Sequence, residues 1–341
     1  MLTLLLLAIL FIALFCVYFY FANKRFVGRY NASIPISANH AYQQLSHLES
    51  WPAWLPWLIY DQEASIHYSE HSHNRSMEQS LTWQGQLIKH GHLTIHPTRP
   101  DTTYFHTTLN APAFYPCDIY FNIDFAKQEK SSTITIQLTG KLPILKRWRA
   151  KHYQLKASKD AELAILYLCD LLTKASARYS QYYNAPSFHY LARTQLNNID
   201  AVTRPFDVGS QPMSQKMEQG FHDLFTQLGP ENPPAGPCFA LYKKADIIHH
   251  YFTGRLGIPV QNIVPCQLCP EKITFSGDYL HLRYVGSYQK LSLAWHVLYN
   301  YMRLNRLHVH SRRCGIEIFE VGPTQAENSQ DFVTLVYLPI R

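Results

Sequence analysis

Charge is scarce in this chain: Asp, Glu, Lys and Arg together make up 16% of its 341 residues. Against 47% hydrophobic and 14% aromatic residues, that scarcity excludes a solvated, disordered chain and points to packed cores. Catalytic signatures are absent too. No Walker loop, G-x-G-x-x-G, G-x-S-x-G or H-E-x-x-H sequence occurs, so phosphate-cradling, dinucleotide, nucleophile-elbow and zincin chemistry have no motif to stand on. Seven cysteines, an odd and dispersed set, do not make a disulfide framework and suit a reducing compartment. Cys266 and Cys269 form a lone C-x-x-C. Structural zinc needs four ligands, and only His249, His250 or Cys238 could add to the pair in space. No metal and no cofactor is therefore assigned. The net charge of +7 is not gathered into an arm: the densest basic stretch, Lys141 to Lys156, is broken by Leu, Ile and Trp. It reads as a solvated face, no helix-turn-helix segment is evident, and nucleic acid is not an expected partner.

What is present begins with an apolar run. Residues 2–22 carry no charged side chain and are long enough for a helix crossing a bilayer. The uncharged start, the long apolar core and the lack of a small-x-small site favour an uncleaved anchor over a signal peptide. Tyr18 and Tyr20 suit an interface, and Lys24, Arg25 and Arg29 follow directly. The expectation is a transmembrane anchor over residues 1–26, a single-pass protein of a bacterial inner membrane, with its bulk in the cytoplasm.

Residues 27–183 read as a first domain. A strand at Val27 to Ile36 leads to a short helix carrying Ala41, Tyr42, Leu45 and Leu48. Alternating runs follow up to Leu138, and a long helix, about Lys156 to Gln181, closes the domain. Strands wrapped round a terminal helix are an α+β plan. The segment Ile34 to Trp57, with Trp51, Trp54, Pro56 and Trp57, resembles the START-like polyketide cyclase (SRPBCC) superfamily. Trp83 with Gly85 and Gly91 resembles that family's central hairpin. The resemblance implies a helix-grip fold with an apolar cavity, walled by Trp54, Trp57 and Trp83, for a lipid-like ligand. Large aromatics are also ordinary core residues. Asp118 and Asp124 have no matched His or Lys and suggest no catalytic pair.

Residues 188–341 read as a second domain in which a strand-helix-strand-strand pattern occurs twice. The first copy runs from the strand-like His189 to Ile199 through a helix carrying Met217, Phe221, Leu224, Phe225 and Leu228. The second runs from Lys272 to Tyr284 through a helix carrying Leu291, Ala294, Leu298, Tyr301 and Met302. A pocket is expected between the copies. In the strand Gly315 to Val321, Glu317 shares a face with Phe319 and Val321 while Glu320 points the other way. A carboxylate on an apolar face is costly unless something offsets it. A cationic ligand would do so, as would Arg283, Arg312 or simple exposure to water.

Gly236-Pro237 leading into Phe239-Ala240-Leu241-Tyr242, Gly257-Ile258-Pro259-Val260, Gly286-Ser287-Tyr288, Glu317 with Phe319, and Tyr337-Leu338-Pro339-Ile340 together resemble the GyrI-like effector-binding family. The resemblance implies a small-molecule site on Glu317, with Tyr242, Tyr284, Trp295, Phe319 and Tyr337 supplying aromatic faces for a hydrophobic or cationic amphipathic ligand. The family's aromatic companion of the Glu is normally Tyr. Phe319 lacks its hydroxyl, which weakens the alternative of a hydrolase acting on a reactive small molecule. A lipid- or quinone-handling protein working through the first domain is the remaining alternative.

Overall fold

The computed structural model describes residues 24–73, 76–96, 104–127, 131–174, 185–197, 199–208, 212–246, 251–261, 271–273 and 277–341, with residues 3, 4, 7, 9, 10, 13 and 15. The chain divides into two compact units, Met1–Ala185 and Pro186–Arg341.

In the first unit, β1 (Arg25–Ile34) is followed by α1 (Ala38–Leu45), β2 (Ser65–His73), β3 (Ser76–Gly85), β4 (Lys89–His96), β5 (Tyr104–Asn110), β6 (Ile119–Lys127), β7 (Ser132–Lys141) and α2 (Ala150–Lys174). The strands form one antiparallel sheet in the order β1-β7-β6-β5-β4-β3-β2. Strict alternation of apolar and polar residues buries one face, as in β7, where Ile134, Ile136 and Leu138 point inward. The long α2 packs against β1 and β7. Close approach requires Gly28, since a Cβ there would lie 2.3 Å from the Ala157 carbonyl carbon.

The second unit contains β8 (Ser187–Gln195), β9 (Ile199–Val208), α3 (Met213–Leu228), β10 (Phe239–Asp246), β11 (Tyr251–Pro259), β12 (Glu271–Ile273), β13 (Asp278–Val285), α4 (Ser292–Leu304), β14 (Gly315–Val321) and β15 (Val333–Pro339). Its single sheet runs β12-β9-β11-β10-β14-β15-β13-β8. The inner six strands are two copies of one motif, β9-α3-β10-β11 and β13-α4-β14-β15, meeting where β10 pairs with β14. The strand opening the first copy is β9, whereas β8 is an edge strand beside β13. Helix α3 packs over β9 and β11, and α4 over β13 and β15. The face of β10 and β14 therefore lies between the two helices.

The α+β plan is observed, but its membrane helix is corrected. Among the described residues no helix is long and apolar enough to cross a membrane. Residues 3, 4, 7, 9, 10, 13 and 15 are helical and exposed. The rest of the 2–22 run, with Cys16, Tyr18 and Tyr20, lies outside the described residues. The single-pass inner-membrane location and its cytoplasmic topology lose their basis with the span, and Arg25 and Arg29 are residues of β1. His249, His250, Cys266 and Cys269 also lie outside the described residues.

Candidate functional site

Register decides which side chains meet over β10 and β14. Glu317 stands opposite Ala240 on β10 and Val336 on β15, and these pair onward with Leu256 and Leu282. Directly opposed residues share a face, so Glu317 belongs to the face that α3 and α4 cover. There it is 4% exposed. Tyr242 Oη donates to Glu317 Oε2 at 2.5 Å, and Trp295 Nε1 donates to Oε1 at 2.6 Å. The two donors come from opposite halves of the duplication, Tyr242 from β10 and Trp295 from α4. Gly315 makes room for the indole: a Cβ there would meet the Trp295 ring at 2.7 Å.

No basic residue neutralises this carboxylate among the described residues. Arg283 lies on the opposite face and approaches Glu320 at 3.9 Å. Arg312 is exposed. Arg204, in the same row of the sheet, is three strands away, about 14 Å at ordinary strand spacing, and pairs with Asp223. Burial pushes the Glu317 carboxyl above its ordinary range, and the two hydrogen bonds oppose that shift. Burial and then the Glu317 charge raise the Tyr242 phenol well above its usual value. Burial, followed by the same charge, pushes Tyr288 up to about 12.

Aromatic rings enclose the carboxylate. Tyr242 meets Trp295 edge-on at 6.0 Å and Phe206 at 5.8 Å. Phe319 meets Phe221 at 6.0 Å and Tyr288 at 5.5 Å. Trp295, Phe319, Phe221 and Tyr288 are only partly buried and form the rim. A desolvated anion ringed by π-faces matches a cation carried on an apolar body. Shallow depressions elsewhere, along Pro230 to Pro237, hold no buried ionisable group.

The expected residues divide accordingly. Tyr242, Trp295 and Phe319 gather round Glu317. Tyr337 does not: it lies on the other face, stacked on His281 at 4.7 Å, because its neighbour Val336 is the residue opposite Glu317. Tyr284 shares the correct face but is fully buried, lies tilted against Phe188 and donates its hydroxyl to the Ser287 carbonyl at 2.8 Å. Tyr288 and Phe221 were named in the sequence only as part of a turn and of a helix stripe, not as site residues. Tyr288 directly follows the Gly286-Ser287 turn and Phe221 lies on the apolar stripe of α3, so both carried a signal.

In the first unit, Trp54, Trp57 and Trp83 are buried among apolar groups. Trp54 stacks on Phe121 at 5.8 Å, and Trp57 meets the same ring edge-on at 5.7 Å. Among the described residues their three indole Nε1 groups have no hydrogen-bond partner, whereas Trp51 Nε1 donates to the Leu45 carbonyl at 2.9 Å. Each orphaned donor costs about 1–3 kcal/mol. The sequence reading also missed a buried ion pair on α2. Lys156 Nζ lies 2.8 Å from Asp160 Oδ2, and Tyr115 donates to the same oxygen at 2.5 Å. The ammonium lies 4.4 Å from the Tyr115 ring centroid.

No family model and no curated protein matches the chain. Solved structures similar to parts of it include the EcmrR C-terminal domain, 14% identical, covering 46% of this chain and 99% of that one, with a TM-score of 0.40. SAV2435 bound to tetraphenylphosphonium is 12% identical over 46% of this chain and 94% of its own, with a TM-score of 0.31. A START superfamily protein from Mycobacterium smegmatis is 14% identical over 44% of this chain and 99% of its own, also with a TM-score of 0.31.

Proposed function

We propose that the second unit binds a hydrophobic or amphipathic organic cation, with Glu317 as its counter-ion and Tyr242, Trp295 and Phe319 as its walls. One observation carries this reading: Glu317 is buried against neutral donors alone, with no described cation in reach. A carboxylate in that position is poorly stabilised when ionised, and a bound cation supplies the missing partner. Tyr242 and Trp295 fix both oxygens, so little ordering remains to be done when ligand arrives. Binding requires the ionised carboxylate. Affinity therefore rises with pH through the raised titration of Glu317, and binding releases a proton.

The test is calorimetric titration of the full chain with tetraphenylphosphonium and with a neutral tetraphenyl analogue, beside Glu317→Gln. The cation should bind wild type and lose that binding in the variant, while the neutral compound is indifferent to it. Equal cation affinity in both proteins would remove Glu317 from the site.

A second reading concerns the first unit. The three orphaned indole donors favour an apolar ligand with a carbonyl or other acceptor oxygen, a quinone-like or lipid-like molecule, held against Trp54, Trp57 or Trp83. Quenching of tryptophan emission by such a molecule, retained in Glu317→Gln, would place binding there. The absence of any quenching would leave these rings as core.

A further inference from the structure

The basic stretch after β7 has a shape that a solvated face does not explain. Pro143 turns the chain into a short 3-10 helix of about two turns, Ile144–Arg149. Its three large apolar side chains point into water: Ile144 is 57% exposed, Leu145 70% and Trp148 61%. Single exposed apolar residues are ordinary, but three within five residues make a patch. The turn holds them in place, since Trp148 Nε1 donates to the Leu145 carbonyl at 3.1 Å. Arg149 lies 5.6 Å from the Trp148 ring centroid, so a cation already sits beside the indole.

Positive charge surrounds the patch. Residues 141–151 contain Lys141, Lys146, Arg147, Arg149 and Lys151 and no acidic residue. Arg25, the first residue of β1, and Lys24 just before it add to this charge: Arg25 stands opposite Lys141, and Leu142 N donates to the Lys24 carbonyl at 2.8 Å. The neighbouring acids are engaged elsewhere. Asp118, next in register to Lys141, accepts from Asn110, while Asp160 and Glu162 on α2 pair with Lys156 and Lys159. Apolar tips ringed by cations match the boundary of an anionic bilayer, where acyl chains take up the apolar groups and lipid phosphates meet the ammonium and guanidinium groups. Trp suits that boundary in particular. A nucleic-acid surface would match the cations but leave Ile144 and Leu145 without apolar partners.

We propose that residues 141–151 form a peripheral docking surface for an anionic lipid bilayer, with Ile144, Leu145 and Trp148 entering the headgroup layer. This is contact by folded surface residues and uses no spanning helix. It is independent of the Glu317 site.

Co-sedimentation of the full chain with phosphatidylcholine vesicles, with and without phosphatidylglycerol, tests it. Wild type should favour the anionic vesicles and be released by salt. Lys146→Gln/Arg149→Gln/Lys151→Gln should weaken that binding about a hundredfold, at roughly one lipid-facing charge per substitution. Leu145→Glu and Trp148→Ser alter exposed side chains, so folding is retained, and each should cost about tenfold. The 2–22 run is common to every variant, so differences between variants report the patch alone. Equal partition of wild type into neutral and anionic vesicles would overturn the proposal. So would wild-type binding by both Leu145→Glu and Trp148→Ser, or a preference for duplex DNA over vesicles.

Discussion

Each unit buries a carboxylate, and the two are held in opposite ways. Asp160 in the first unit has its cation built in, with Lys156 2.8 Å away and Tyr115 hydrogen-bonded to the same oxygen. Glu317 in the second has the same kind of phenol partner in Tyr242, and an indole in Trp295, but no described basic residue. A carboxylate with an internal counter-ion is satisfied and inert. One offered only neutral donors is fixed in position yet still short of a positive charge. That contrast, more than burial alone, separates a structural acid from a candidate binding acid.

The largest expected effect tests the satisfied partner. Lys156→Met leaves Asp160 buried without its cation and should destabilise the first unit by about 3–5 kcal/mol. Replacing both, Lys156→Met with Asp160→Leu, should recover most of that loss. Urea unfolding followed by tryptophan emission reads both, since Trp51, Trp54, Trp57, Trp83 and Trp148 all lie in the first unit. A double variant as unstable as the single one would show that the pair is not the structural unit claimed.

Glu317→Gln should do the opposite to stability. Its folded-state titration is raised by burial, so the folded protein holds its proton more tightly than the unfolded chain does. That contribution is fully present below the ordinary carboxyl range and is lost as pH rises through the raised value. The Gln variant, which never ionises, should be the more stable protein without ligand at neutral pH, and the advantage should vanish in acid. Its affinity for tetraphenylphosphonium should fall by about 2–5 kcal/mol. A variant less stable than wild type at neutral pH would mean that Glu317 is already satisfied, and the contrast with Asp160 would fail.

Trp295→Phe keeps an aromatic wall but removes the donor to Oε1. A hydrogen bond to a charged group contributes about 1.5–3 kcal/mol, and cation affinity should fall within that range. Gly315→Ala should mimic part of the loss by displacing the ring, which a Cβ would meet at 2.7 Å. Unchanged titrations in both variants would leave Tyr242 as the sole residue orienting the carboxylate.

Strand parity was enough to put Glu317 beside Phe319 and opposite in direction to Glu320, because alternation within one strand is local. It was not enough for Tyr337, whose face depends on the register between β14 and β15, and a one-residue shift in register reverses the face. Tyr284 shows a different limit: its face was right, but its hydroxyl is bound by the turn at Ser287. Lys156 and Asp160 stand four apart on a helix, a spacing visible in the sequence. Their burial was not visible, because it comes from Phe114 and Tyr115 on a distant loop. The apolar residues that interrupt the 141–156 stretch were visible, but only the fold shows Ile144, Leu145 and Trp148 turned outward.

The smallest effect is the most discriminating. Tyr242→Phe deletes the donor to Oε2 and leaves the ring in place against Phe206 and Trp295. The phenol bond favours the ionised form of Glu317, so its loss raises the carboxyl titration further and moves the onset of cation binding to higher pH. At neutral pH the affinity should drop by about 1.5 kcal/mol, the low end of the range for a bond to a charged group. At alkaline pH, where Glu317 is ionised in both proteins, most of the difference should disappear. A pH-independent loss would instead mean that Tyr242 contacts the ligand and does not act through the carboxylate. The same variant separates a binder from a hydrolase: if Tyr242 were an acid acting on bound substrate, its loss would abolish turnover while leaving the pH onset of binding unmoved.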